Sequence, residues 1–441
     1  MFIIFALLLL GLVLYLSLQH WLPQLLLSPH SIQTQLKKCS AHLSLHEWEE
    51  AKKELLPLLK KEKGGKETLL LHIQILRGTN HLEEALKEVS AASKKYPEEL
   101  LFRLEEGKIL VGLKRFQEAL ETFNVCAPIL RTETDLIFYA SAHLHSGHPH
   151  ETLAILDPLL KITQNGEIYS LAADALAEKN LWQEALVLYK NALALGYQKH
   201  HIWIQIGHAQ RYLGKREEAE KIFRTLLDKD SSDIEATLGL GATLQDRGSF
   251  HRALLTYQSV PAWNSQDTRL LKQAALCALH TKKYHFAEKY FKQVVETTPP
   301  TAEVYTLYGY SLECQEKWGE AEAHYLKMIH LFPQFPQGYL SLAWLYGAGV
   351  ASFSSEQGLY FAHCSLKLKN SITAWEVLSA CEARKGNFKK AYQIQESLSL
   401  SDEDRESRFF RQEALRSLRK NIPFDPLLLK HCSKRESLLE F

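Results

Sequence analysis

Apolar residues along most of the chain return at three- and four-residue intervals, the period of a helix that buries one face, and short polar breaks separate the helical stretches. Within this pattern a small residue, often in an aromatic-x-Glu-Ala run, recurs at Ala51, Ala85, Ala119, Thr152, Ala185, Ala219, Ala253, Ala287, Ala321, Gly358 and Ala391, with spacings of 34, 34, 33, 33, 34, 34, 34, 34, 37 and 33 residues. Four residues after most of these anchors, one helical turn on, stands a large side chain: Leu55, Val89, Phe123, Leu156, Tyr189, Phe223, Tyr257, Phe291 and Tyr325. Twelve residues before most of them stands a small one: Cys39, Gly107, Ala140, Ala173, Gly207, Gly241, Ala275, Gly309 and Ser379, with Ile73 the exception. The spacing predicts two helices whose small residues let the backbones approach while the large side chain faces them. Gly147, Gly214, Gly248 and Gly386, five residues before an anchor, predict the reversal between the helices, because glycine accepts the positive φ that ends a helix. Pro97, Pro299 and Pro333, twelve after, predict the stop. Each unit is therefore helix, turn, helix, stop. One such hairpin cannot bury its own apolar face, so neighbouring units must stack.

No stretch shows the β-branched alternation of a strand, and glycine and proline are sparse, so the fold class is all-α. The repeat resembles that of the tetratricopeptide repeat family, most clearly at Trp203-x-x-Ile206-Gly207 with Ala219 and Phe223, at Tyr305-x-x-Tyr308-Gly309 with Ala321, Tyr325 and Pro333, and at Trp375-x-x-Leu378 with Phe388 and Ala391. The resemblance spans residues 32–400 and implies a right-handed α-solenoid of about eleven helix-turn-helix repeats. The first unit is degenerate, with Gln35 where the family has an aromatic. Leu342 to Lys367 departs further: it carries three extra residues and the turn Gly347-Ala348-Gly349, and it resembles the SEL1-type variant. Ser401 to Asp404 predict an N-cap and an acidic first turn for one more helix, Asp402 to Lys420. Its apolar stripe of Phe410, Ala414 and Leu418 makes residues 401–441 a capping helix and tail.

The resemblance also implies a concave surface, lined by the first helix of each unit, where family members hold partner peptides. The candidate partner-binding residues on that surface are Asp174, His208, Arg211, Gln245, Lys272, Thr306, Tyr310 and Glu313. Some members clamp the terminal carboxylate of chaperone tails with paired Lys and Asn residues. Lys272 occupies the first such place here, but Leu276 and Leu307 stand where Asn is required, so no clamp is expected.

The N-terminus adds a membrane to the picture. Phe2 to Leu18 carry no charge and Trp21 follows where an interfacial aromatic belongs, which predicts a single transmembrane anchor over residues 1–22. The basic n-region and small-x-small cleavage site of a signal peptide are missing. The first cations, Lys37 and Lys38, lie after the apolar run, and by the positive-inside rule the repeats are cytoplasmic, an extracytoplasmic placement being the alternative. The seven cysteines are scattered and never form C-x-x-C, as suits small buried residues in a reducing compartment.

Charge and motifs then narrow the function. Lys plus Arg number 52 against 51 Asp plus Glu, which removes the basic footprint of a nucleic-acid binder. No nucleophile elbow, phosphate-binding loop or H-E-x-x-H motif is present, so neither an enzyme nor a cofactor is expected. His143, His145, His148 and His150 straddle one bend without a carboxylate or cysteine to complete a ligand spacing, so no metal is expected. His200-His201 is weaker still. Arg405, Arg408, Arg416, Arg419 and Lys420 line one face of the last helix, read as a solvated face, with anionic lipid or an acidic partner as the alternative. The tail Ile422 to Leu429 either packs on the solenoid edge or is itself a ligand. The chain reads as a membrane-anchored scaffold or adaptor holding a partner protein or peptide. The alternative is a regulatory subunit of a membrane enzyme or of an envelope-assembly complex.

Overall fold

The computed structural model describes residues 29–60, 65–260, 267–352, 354–398 and 405–423. Among these are 23 α-helices and no strand. No helix among the described residues is long and apolar enough to cross a membrane. The anchor predicted over residues 1–22 lies outside them, as do Ser401 to Asp404 and the tail beyond residue 423.

The chain divides into two compact units, Met1–Leu213 and Gly214–Phe441. The first holds α1 (Pro29–Ser44), α2 (Trp48–Lys60), α3 (Gly65–Gly78), α4 (Leu82–Lys95), α5 (Leu100–Gly112), α6 (Phe116–Cys126), α7 (Glu133–His145), α8 (Pro149–Leu160), α9 (Gly166–Glu178), α10 (Trp182–Ala194) and α11 (His200–Tyr212). The second holds α12 (Arg216–Lys229), α13 (Ile234–Asp246), α14 (Phe250–Gln258), α15 (Thr268–His280), α16 (Tyr284–Thr297), α17 (Ala302–Glu313), α18 (Trp318–Leu331), α19 (Pro336–Ala348), α20 (Ser355–Leu368), α21 (Ile372–Arg384), α22 (Phe388–Leu398) and α23 (Arg405–Arg419). Within each unit every helix contacts the next in sequence, and several first helices also contact the first helix of the following pair, the nearest-neighbour pattern of a helical solenoid.

The anchors and their large partners form the core of both units. Ala51, Ala85, Ala119, Thr152, Ala185, Ala253, Ala287, Ala321 and Ala391 are buried, and so are Leu55, Val89, Phe123, Leu156, Tyr189, Tyr257, Phe291 and Tyr325. Each large side chain contributes about 1.5–3 kcal/mol by leaving water. In several pairs volume is shared between the small and large positions, whereas Ala173 and Ala275 keep full rings, Tyr189 and Phe291, at the large position. Gly107 faces Phe123, and Gly241 faces Tyr257, so closely that an added Cβ would lie 2.8 and 2.2 Å from the rings. Where the small position is Ala140 the large one shrinks to Leu156, and where it grows to Ile73 the large one shrinks to Val89. The exception in the sequence pattern is thus a volume-conserving exchange. Polar side chains at these positions bond across the pair: Cys39 Sγ to the Ala51 carbonyl at 3.4 Å, Thr152 Oγ1 to the Ala140 carbonyl at 3.2 Å, and Ser379 Oγ to the Ala391 carbonyl at 2.9 Å.

Outside the enlarged unit at Leu342 to Lys367, the turn inside the pairs has one geometry. Gly147, Gly248 and Gly386 take positive φ as expected, but the same place is held at positive φ by His46, Asn80, Lys114, Asn180, Lys282 and Glu316. The residue after it donates its N–H back to the last turn of the first helix: Arg115 to Leu110 at 2.9 Å, Lys283 to Ala278 at 2.8 Å, Lys317 to Leu312 at 3.1 Å. This is the Schellman closure, and it holds a side-chain-bearing residue in the left-handed region against a cost of about 1–2 kcal/mol. Lys114→Gly, Lys282→Gly and Glu316→Gly are each expected to stabilise the chain by about 0.5–1 kcal/mol, the strain removed less the flexibility glycine adds to the unfolded state. Urea denaturation compares them; a lower midpoint for all three would show that the side chains, not the backbone, set the energy there.

The unit from Leu342 to Lys367 absorbs its extra residues in the loop between α19 and α20. Gly349 ends α19 at φ 77° against the Arg384 guanidinium, and the Ser352 N–H and hydroxyl donate to the Glu322 carboxylate at 2.8 and 2.5 Å. A capping box of Ser354 with Gln357 then starts α20. At the end of the chain α23 buries Ala414 and Leu418 as predicted, but its buried face also carries Arg411, which donates to Glu376 of α21 at 3.1 Å and to the Leu398 carbonyl at 2.9 Å. Arg419 lies over the Tyr392 ring of α22 and donates to its hydroxyl at 2.9 Å, so this member of the basic face is engaged within the fold.

Candidate partner-binding site on the first helices

In the first unit, α7, α9 and α11 are first helices, and with α10 they frame an open pocket of about 530 Å³. Its lining includes Asp174 and Glu178 from α9, Trp182 and Tyr189 from α10, His145 from α7 and His201 from α11. Asp174, one of the predicted residues, stands at its base. Its carboxylate accepts from the Tyr189 hydroxyl at 2.6 Å and lies 3.2 Å from His201 Nε2. Burial pushes Asp174 up to about 7, with the Tyr189 hydrogen bond opposing and the charge of Glu178 adding to the rise. Burial raises Glu178 as well. His201 is lowered by burial and by His200, and His145 by burial and by Lys114. The pocket therefore sets an imidazole whose protonation is disfavoured beside a carboxyl whose ionisation is disfavoured, both by burial. Trp182 stacks on Tyr212 with ring centroids 4.2 Å apart and an interplanar angle of 12°, which fixes the aromatic wall.

The other candidates in this unit lie on α11. His208 and Arg211 are half-buried, and the Arg211 guanidinium sits 4.4 Å from the Tyr212 ring centroid. His143 and His145 pack instead on aromatic rings, Tyr139 and Phe116, with centroids 4.6 Å apart in each case. Among the described residues no group of three or more His, Cys, Asp or Glu side chains is placed to hold a metal.

A second polar constellation in this unit was missed by the sequence reading. Glu105 of α5 accepts from Gln74 and Arg77 of α3 at 3.2 and 3.0 Å and from Lys108 at 3.0 Å, and Lys108 reaches Asp135 of α7 at 2.7 Å. Glu105, Lys108 and Asp135 are buried. Burial alone would raise Glu105, but Arg77 and Lys108 hold it below its usual range, and Lys108 does the same for Asp135. The chain runs through three successive first helices and stitches them together. Its signal in the sequence is one i,i+3 charge pair, Glu105 with Lys108, flanked by opposite charges 27 and 28 residues away.

In the second unit Gln245, Lys272, Thr306, Tyr310 and Glu313 lie on the first helices α13, α15 and α17. Lys272 pairs with Glu303 at 3.1 Å. Tyr257 donates to Gln245 Oε1 at 3.0 Å, and Tyr325 donates to Glu313 Oε1 at 2.7 Å. Thr306 is buried and donates to the Ala302 carbonyl at 2.8 Å, Glu313 is buried beside its tyrosine, and Tyr310 is half-buried. Gln245 and Glu313 thus satisfy the hydroxyl of the core tyrosine in their own pair, as Asp174 does for Tyr189. Pairs with phenylalanine at that place, such as Ala119–Phe123 and Ala287–Phe291, carry Val111 and Leu279 instead. An acceptor on the first helix therefore accompanies tyrosine, and the polar residue there has a structural use before any partner arrives.

The geometry of paired helices with a buried small anchor defines the class. A family profile described as Tetratricopeptide repeat matches residues 70–129 and 204–267, and the chain carries tetratricopeptide repeats there. The particular proteins it resembles are more distant. The mitochondrial import receptor subunit TOM70 of Rattus norvegicus is 28% identical over 133 residues, 29% of this chain and 21% of the receptor, so the match spans about a fifth of that relative's length. Among solved structures, the C-terminal part of a TPR repeat-containing protein from Cytophaga hutchinsonii is 17% identical with a TM-score of 0.47, covering 55% of this chain and 99% of that one. The APC/C hetero-tetramer Cut9–Hcn1 is 13% identical with a TM-score of 0.40, covering 80% and 84%.

Proposed function

We propose that this chain is a membrane-anchored interaction scaffold of eleven tetratricopeptide-type units, the unit at Leu342 to Lys367 being a SEL1-type variant. It holds a partner peptide or protein against its first helices. Residues 1–22 are its anchor, 32–400 its array and 401–441 its cap and tail. The observation that carries the reading is the open pocket framed by α7, α9, α10 and α11, which no side chain among the described residues fills. Partner contacts fall to Asp174, His208, Arg211 and Lys272, with Gln245, Thr306, Tyr310 and Glu313 shaping the surface beneath. Catalysis is not part of this reading: Gln245 and Glu313 serve the hydroxyls of core tyrosines, and Lys272 is paired with Glu303. The repeats face the cytoplasm, consistent with the free, buried thiols of Cys39, Cys126, Cys277 and Cys381, whose pKa values burial raises.

Affinity purification from detergent-solubilised membranes tests it, using the full chain and a chain starting at Ile32. The same partner is expected with both, and only the full chain is expected in the membrane fraction. If neither retains a specific partner, the scaffold reading fails; if the shortened chain stays in the membrane, the anchor fails.

A further inference from the structure

Several carboxylates of this fold have a cation built in. Glu105 has Arg77 and Lys108, Asp135 has Lys108, Glu288 has Lys317, and Glu382 has Lys390. The pocket at Asp174 breaks that habit. Among the described residues no lysine or arginine pairs with Asp174 or Glu178, and the basic side chain that reaches Asp174 is His201 at 3.2 Å, its pKa lowered by burial and by His200. A carboxylate withdrawn from water without a counter-charge is a destabilised anion, and here it borders a cavity open to solvent. The walls match the stem and head of one particular side chain. Leu144 and Ala177 are apolar, and the Trp182 indole is a flat aromatic face held by its stack on Tyr212.

We propose that this pocket receives an arginine side chain from a partner peptide, with Trp182 covering the guanidinium plane and Asp174 and Glu178 accepting its N–H groups. The inference rests on the reading of the first helices as the partner-binding face. Arginine is favoured over lysine because a planar, weakly hydrated fork suits both an aromatic wall and two acceptors, whereas an ammonium uses only one of these well. The incoming cation supplies the charge the fold leaves out. Tyr189 remains the fixed donor that orients Asp174.

The test uses the full chain and four pools of fluorescent nonapeptides with random flanks and a fixed centre of arginine, lysine, glutamine or glutamate, read by fluorescence anisotropy. The arginine pool is expected to bind on the order of tenfold more tightly than the glutamine and glutamate pools, with lysine between. Asp174→Asn, which keeps the acceptor for Tyr189, and Glu178→Gln, at the exposed rim, are each expected to remove most of that preference while leaving helix content and thermal unfolding close to wild type. Because burial pushes Asp174 up to about 7, the preference is expected to grow in the wild type as pH rises through the neutral range and this growth to be absent in Asp174→Asn; His145, His201 and Glu178 are the other titratable groups facing the site. Pools that bind equally whatever the centre overturn the arginine pocket and leave the partner-binding face standing. Binding by no pool overturns both.

Discussion

Lys108→Ala is expected to destabilise the first unit by about 3–5 kcal/mol, the cost of stranding buried charge. Lys108 is 7% exposed and its ammonium links Glu105 of α5 to Asp135 of α7, at 3.0 and 2.7 Å. Its removal leaves Glu105 with Arg77 and Gln74, but leaves Asp135, 4% exposed, with Thr132 alone. Because a repeat array unfolds locally, the loss is read as faster amide hydrogen exchange in α5 and α7 rather than as one global midpoint. The sign of the pH dependence identifies the cause. In the wild type Glu105 and Asp135 are held below their usual range, so their contribution is present above the unfolded carboxylate values and lost as pH falls through the folded ones. In the variant the stranded Asp135 is raised instead, so the deficit shrinks as the solution is acidified toward the carboxylate range. A deficit that stays constant with pH would assign the effect to lost packing of the lysine stem. Replacing Lys108 and Asp135 together by apolar residues is expected to recover part of the loss, since that double change strands no new charge on α7.

The contrast between this chain of charges and the anchor pattern shows what a sequence of this kind displays. Ala51 through Ala391 were legible because a close helix crossing demands the same small residue at the same offset in every pair, and repetition turns a weak local preference into a periodic one. Ile73 with Val89 looked irregular only because conserved volume, rather than residue type, is what packing requires. The turns were half legible: glycine marks Gly147, Gly248 and Gly386, while Lys114, Lys282 and Glu316 are held in the same left-handed conformation by Schellman bonds that carry no side-chain signature. Glu105 and Lys108 form a local i,i+3 pair that alone resembles a solvated helix face, and the partners that extend it, Arg77 and Asp135, stand 28 and 27 residues away. Arg411 was hidden for the same reason, its partner Glu376 lying 35 residues back. At the candidate site Asp174 was placed on the inward face from the family pattern, but the pocket around it depends on His201, Trp182 and Glu178, which come from three helices and share no spacing. Gln245 and Glu313 were read as partner contacts. They serve Tyr257 and Tyr325, a use visible in the sequence only once tyrosine and phenylalanine at the large position are treated as different.

Gly309→Ala is expected to cost about 3–5 kcal/mol at a position where an exposed helix would gain about 0.5–1 from the same change. An alanine Cβ at 309 would lie 2.2 Å from Cε1 and 2.4 Å from Cζ of Tyr325. That ring is 1% exposed and its hydroxyl is held by Glu313 at 2.7 Å, so it cannot move aside without releasing a hydrogen bond to a buried carboxylate. Overpacking and the lost charge-assisted bond therefore arrive together. The combination already present elsewhere in the chain, Ala140 with Leu156, indicates the cure. Tyr325→Leu alone removes the ring and its bond to Glu313 and is destabilising by itself, but Gly309→Ala combined with Tyr325→Leu is expected to be more stable than the sum of the two, with a coupling of at least about 1 kcal/mol. Hydrogen exchange in α17 and α18 across the four proteins of the cycle reads that coupling. Additive losses would mean that the small and large positions act independently, and the volume rule that joins Gly107 to Phe123, Gly241 to Tyr257 and Ile73 to Val89 would lose its physical basis.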